Sequence, residues 1–88
     1  MRLMIPNTPK VEAFYWLGNS SYKAGKYQEA AAALKDAIKL KPMYAQAHYS
    51  LGLVYAALND KDGVVREFAI LKRIDPKLAE QLYNAVKK

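Results

Sequence analysis

The chain has 88 residues, with 14 Lys and Arg against 8 Asp and Glu for a formal charge of +6; 52% of it is hydrophobic, and it holds one histidine and no cysteine. At this length one small domain is expected, burying only about 60% of the surface that its unfolded form exposes. The composition excludes a disulfide framework and a thiolate metal site, and its four glycines and four prolines suit an all-α domain better than a turn-rich β fold or a disordered chain.

The opening "MRLMIPNTPK" has no extended apolar stretch and no small-residue cleavage site. Residues 1–8 therefore read as an arm rather than a targeting signal. Thr8 is placed to cap a helix whose first residue is Pro9, since its hydroxyl accepts an orphan amide and proline lacks the amide that would go unpaired. This first helix runs to about Gly25, a residue suited to the left-handed conformation that ends helices. A second helix covers about Tyr27 to Leu40, and Pro42 interrupts it. A third is expected from Met43 to Leu58, with Asn59 standing where Gly25 stood. A fourth runs from about Lys61 to Ile74. Asp75 and Pro76 then repeat the cap-and-proline signal and open a fifth helix that reaches the last residues. No apolar run is long enough to span a membrane, and a cytoplasmic location is the expectation.

Apolar spacing assigns each helix a buried face. Phe14, Leu17, Gly18 and Ser21 form one stripe at helical period, and His48, Leu51, Gly52 and Tyr55 form its counterpart. The facing stripes are Ala30, Leu34, Ala37 and Ile38, then Val64, Phe68 and Leu71. Gly18 and Gly52 carry no side chain at the crossing and Ala30 is small, so the paired backbones approach closely. In the fifth helix Leu78, Leu82 and Ala85 are expected to cover the open side of the second pair. The mixed charges Lys35, Asp36 and Lys39, and Arg66, Glu67, Lys72 and Arg73, read as solvated faces. A nucleic-acid role driven by net charge therefore ranks behind protein binding.

His48 lies on a buried stripe and has no serine, cysteine or carboxylate at triad or ligand spacing, so it reads as a core histidine. Trp16, on the first helix, reads either as a cover for the N-terminal arm or as a ligand anchor, with packing the favoured reading. The glycines are isolated and form no phosphate loop. No enzyme activity, cofactor or metal is expected.

The two halves repeat. "FYWLGNSSY" (14–22) and "HYSLGLVYA" (48–56) align Tyr15 with Tyr49, Leu17 with Leu51 and Gly18 with Gly52, and the same step of 34 from Tyr49 reaches Tyr83. This period, with the pattern aromatic-x2-Leu-Gly-x2-Tyr, then Ala-x3-Phe, then Pro, resembles the tetratricopeptide repeat. Phe14, Leu17, Gly18, Ala30, Leu34, Ala37 and Pro42 carry the first unit; Leu51, Gly52, Tyr55, Phe68 and Pro76 carry the second. The resemblance implies one domain over residues 9–88, with repeats at about 11–44 and 45–78 and a capping helix at about 76–88. It departs from the family at Ser21, His48, Val64 and Leu71.

The resemblance further implies a right-handed stack of antiparallel helix pairs whose first helices line a concave groove for a peptide or partner helix. The groove positions are Tyr15, Asn19, Tyr22, Lys23, Gln46, Tyr49, Leu53 and Tyr83, with Glu12, Ala56 and Glu80 beside them. Tyr15, Tyr49 and Tyr83 would form a ladder that either binds or only packs, since a tyrosine offers an apolar ring and a wet hydroxyl. The family's carboxylate clamp for chaperone tails does not carry over. Tyr15 stands where it needs lysine, Asn19 matches, Ser50 replaces asparagine, and Glu80 and Asn84 replace basic residues. The alternative role is structural, as one unit of a longer array or a self-associating domain, because such stacks usually hold three or more units. The first helix, with Phe14, Tyr15, Trp16 and Leu17, would keep an uncovered flank unless "MRLMIP" folds over it.

Overall fold

A computed structural model describes residues 10–87. Five helices follow in order: α1 (Lys10–Lys23), α2 (Tyr27–Leu40), α3 (Ala45–Ala57), α4 (Lys61–Ile74) and α5 (Pro76–Val86), with no strand among the described residues. The stack measures 53 × 27 × 18 Å. α1 pairs with α2 and α3 with α4, while α3 also touches α1, α2 and α5. Two antiparallel pairs and one further helix result.

The turns inside the pairs are alike. Gly25 N–H donates to the Tyr22 carbonyl and Lys26 N–H to that of Ser21; Asn59 N–H and Asp60 N–H donate in the same way to Ala56 and Tyr55. Each satisfies the last carbonyls of its helix through a residue at positive φ, 81° for Gly25 and 65° for Asn59. Helix starts differ in strength. Asp60 Oδ1 accepts from Gly63 N–H at 3.0 Å and Asp75 Oδ1 from Leu78 N–H at 3.2 Å, with Pro76 opening α5 as its sequence requires. α2 has no side-chain cap, since Lys26 occupies that position. α3 starts at Ala45 with Tyr44 as its cap, two residues later than Met43. The Thr8 and Pro9 signal and the arm lie outside the described residues.

The core has two parts. Ala30, Ala31, Leu34, Ala37, Ala47, Leu51, Val54 and Tyr55 join α2 to α3. Leu71, Ala79 and Leu82 join α4 to α5, with Tyr49 and Leu53 of α3 against them. Gly18 faces Leu34 and the Ala30 carbonyl, so the first pair closes as its spacing implies. Gly52 departs from the expectation. Its missing side chain leaves room for Leu82 of α5, not for α4, and α4 instead approaches α3 where Gly63 receives the ring of Tyr55.

Three further expectations need correction. Leu17 is 55% exposed although Leu51, at the same repeat position, is 2% exposed. The reason is what lies in front: Leu51 packs on α2, whereas α1 has no preceding helix among the described residues. Trp16 is 64% exposed on that same flank rather than covered by the described residues, and the arm it was expected to cover lies outside them. In α5 Ala79 is buried and Ala85 is exposed, because Leu82 seated over Gly52 turns Ala79 inward beside it.

Candidate interaction surface

The eight positions expected to line the groove fall on α1, α3 and α5. Tyr15, Asn19 and Tyr22 are half-buried on α1, and Lys23 is exposed at its end. Gln46 is exposed on α3, where Tyr49 and Leu53 are half-buried against the second cluster. Tyr83 is exposed on α5. All keep access to solvent.

The three repeat-related tyrosines have different neighbours. The Tyr15 ring lies 5.1 Å from that of Tyr44, and Tyr83 lies 6.2 Å from Phe68, both tilted. Tyr22 pairs with Tyr27 at 5.6 Å across the first turn. Among the described residues no ring pair joins Tyr15 to Tyr49 or Tyr49 to Tyr83. Packing therefore uses part of each ring and leaves the rest accessible. Ser50, which stands at a clamp position, is buried in α3, so its hydroxyl adds nothing to an exposed anion site.

Sequence reasoning did not include Tyr44 among these residues. It sits at the α2–α3 turn under Lys41, whose Nζ lies 5.0 Å from the ring centroid. Burial pushes its hydroxyl pKa upward, and Tyr15 and Glu12 nearby add to the rise. Its signal was the proline two residues before, which places Tyr44 at the helix start beside Tyr15.

A second polar feature lies beneath the surface. His48 is 4% exposed and Glu67, read from sequence as part of a solvated face, is 7% exposed. His48 Nδ1 lies 2.6 Å from Glu67 Oε1 and Nε2 lies 2.7 Å from the Pro42 carbonyl oxygen. Two acceptors flank one ring, so both nitrogens donate when the ring is protonated. The Glu67 hydrogen bond is the main cause raising the His48 pKa; burial opposes it, while the Pro42 carbonyl and the charge of Glu67 assist. The histidine thus clasps α3 to α4 and to the turn before α3. In the first pair the equivalent positions hold Phe14 and Ala33, so an ionic contact has taken an apolar one's place.

Among the described residues no group of three or more His, Asp or Glu side chains is arranged to hold a metal, and no helix is long and apolar enough to cross a membrane.

These helix pairs, their common turns and their 34-residue register define an all-α helical repeat. A family profile described as TPR repeat matches residues 18–59, and the fold is consistent with the tetratricopeptide repeat family. It is also similar to a protein of Pseudomonas aeruginosa named as a probable biofilm formation methyltransferase, WspC, with 37% identity over 65 residues. That match takes in 74% of this chain and 15% of the relative. Tetratricopeptide repeats generally mediate protein–protein contacts and are typically non-enzymatic. The methyltransferase in the relative's name describes a protein of which this chain spans a small part.

Proposed function

We propose that the chain holds a peptide or partner helix along the tyrosine-bearing face of α1, α3 and α5. The observation that carries this reading is the recurrence of Tyr15, Tyr49 and Tyr83 at one register with part of each ring left accessible. Apolar side chains of the ligand would lie between the rings, Asn19 and Gln46 would bond its backbone, Tyr22 and Leu53 would extend the apolar floor, and Lys23 would steer acidic flanks. Aromatic anchors dominate such interfaces.

Peptides selected from a random library on the immobilised protein provide the test. Tyr49→Ala should weaken their binding about tenfold, the equivalent of about 1.4 kcal/mol. Leu51→Met serves as a conservative core control, and circular dichroism checks the folding of both. Binders unaffected by Tyr49→Ala in folded protein would show that the tyrosines only pack.

The flank of α1 that no other described residue covers favours a second reading, that this unit packs within a longer helical array or against another copy. Trp16 and Leu17 occupy the positions of Ser50 and Leu51, which are both buried. Leu17→Glu should then abolish any self-association seen by light scattering while leaving the helical content intact. Association that survives the charge would remove this flank from the interface.

A further inference from the structure

A groove of about 610 Å³ runs between α4 and α5, away from α1, lined by Val64, Val65, Phe68, Leu82, Tyr83 and Val86. The repeat shows what kind of element such a surface receives. Val64, Val65 and Phe68 correspond to Ala30, Ala31 and Leu34, which α3 covers through Leu51, Val54 and Tyr55. α5 covers the C-terminal half of α4 through Ala79 and Leu82 but ends at Val86, leaving the N-terminal half open. Val65 is consequently 63% exposed where Ala31 is 8% exposed. Open positions that merely faced water would be expected to hold polar or smaller residues, yet here valines replace alanines.

The rim adds charge. Lys61 lines one end of the groove, Lys72 Nζ lies 5.7 Å from the Phe68 centroid and Lys87 Nζ lies 5.3 Å from that of Tyr83. Among the described residues His48 and Glu67 form the one ion pair, so none of these lysines has a carboxylate partner. Asp60, the acid at the groove, is engaged in capping α4. An apolar floor of helix-covering positions and a rim on which three lysines outweigh the one carboxylate, Asp60, complement one kind of ligand. We infer that this groove docks an amphipathic helix of a partner protein, apolar on the inner face and acidic on its flanks. The surface shares Tyr83 and Ala56 with the tyrosine face and its immediate surroundings and otherwise lies apart from it.

The probe is a stapled helical peptide of about 14 residues with leucines at i, i+3, i+4 and i+7 and glutamates beside them. NMR titration with the whole protein should shift amides of Val64, Val65, Phe68 and Val86. Val65→Glu should weaken binding about tenfold or more, and Lys72→Glu with Lys87→Glu should weaken it and flatten its salt dependence, with unchanged thermal melts. Replacing the glutamates of the peptide by lysine should abolish binding. The proposal is overturned by no binding at millimolar peptide, by equal binding of the lysine peptide, or by shifts confined to Tyr15, Tyr49 and Leu53, which would assign the peptide to the other face. A concentration-dependent dimer that Val65→Glu dissolves would also overturn it, naming a second copy as the occupant. Tyr15→Ala distinguishes the two surfaces, since Tyr15 packs on Tyr44 of the first cluster and its loss should leave binding in this groove intact.

Discussion

Replacing Glu67 with alanine leaves His48 buried with one acceptor, and replacing His48 with phenylalanine leaves the Glu67 carboxylate buried with none. Removing one partner of a buried pair costs about 3–5 kcal/mol, and the residual exposure of both groups favours the lower end. Each single variant should therefore lose about 3 kcal/mol, a large share of the total expected for a small domain. The double variant recreates the Phe14 and Ala33 arrangement of the first pair. It should lose only about 1 kcal/mol, because exchanging a whole buried pair for apolar groups is often near neutral. Urea unfolding of the four proteins forms a double-mutant cycle that measures the coupling. Stability should also follow pH. The folded His48 binds its proton more tightly than its unfolded form, whose pKa is about 6.5, so the contribution is full below pH 6.5. It is lost as pH rises through the raised folded value. The difference between the parent and the double variant isolates this slope from the carboxylates that titrate below it. Additive single losses, or a parent whose stability relative to the double variant stays level through the alkaline range, would refute the clasp.

Leu51→Ala should cost about 2–5 kcal/mol, whereas Leu17→Ala at the same repeat position should cost less than about 1; thermal melts read the difference at about 4–8 °C per kcal/mol. Gly63→Ala sets a helix-propensity gain of about 1 kcal/mol against about 1–3 kcal/mol of overpacking, because the new Cβ would meet the Tyr55 ring at 2.5 Å. A net loss is expected, and a higher melting temperature would show that the ring yields freely. Asn59→Gly should stabilise by up to about 1 kcal/mol in urea unfolding, since Asn59 holds φ 65°.

Punctuation made the helices legible. Gly25, Asn59, and Asp75 with Pro76 act through backbone geometry and local hydrogen bonds, so they fix boundaries without knowledge of distant contacts. Periodicity also identified the faces, but a face does not disclose whether anything covers it. Leu17 and Leu51 have near-identical local settings and opposite fates. Glu67 stands between Arg66 and Phe68 in a charged stretch and reads as surface; its burial is decided by His48, nineteen residues away. The repeat held a clue, because its counterpart is Ala33, a position already buried in the first pair. The α4–α5 groove depends on how Leu82 sits over Gly52, a contact between elements that no local pattern records. The tyrosine positions followed from the 34-residue step, while Tyr44 entered through the turn geometry.

α3 touches all four other helices and buries residues on nearly every side. That placement has a consequence during synthesis. The first pair can close as soon as α2 is made, but Tyr49 and Leu53 wait for α4 and α5 to shield them. At ordinary elongation rates residues 61–86 take on the order of seconds to appear, longer than a helix needs to form. For that interval the nascent chain displays its most apolar segment, and chaperone recognition or premature clustering of neighbouring nascent chains should centre on α3.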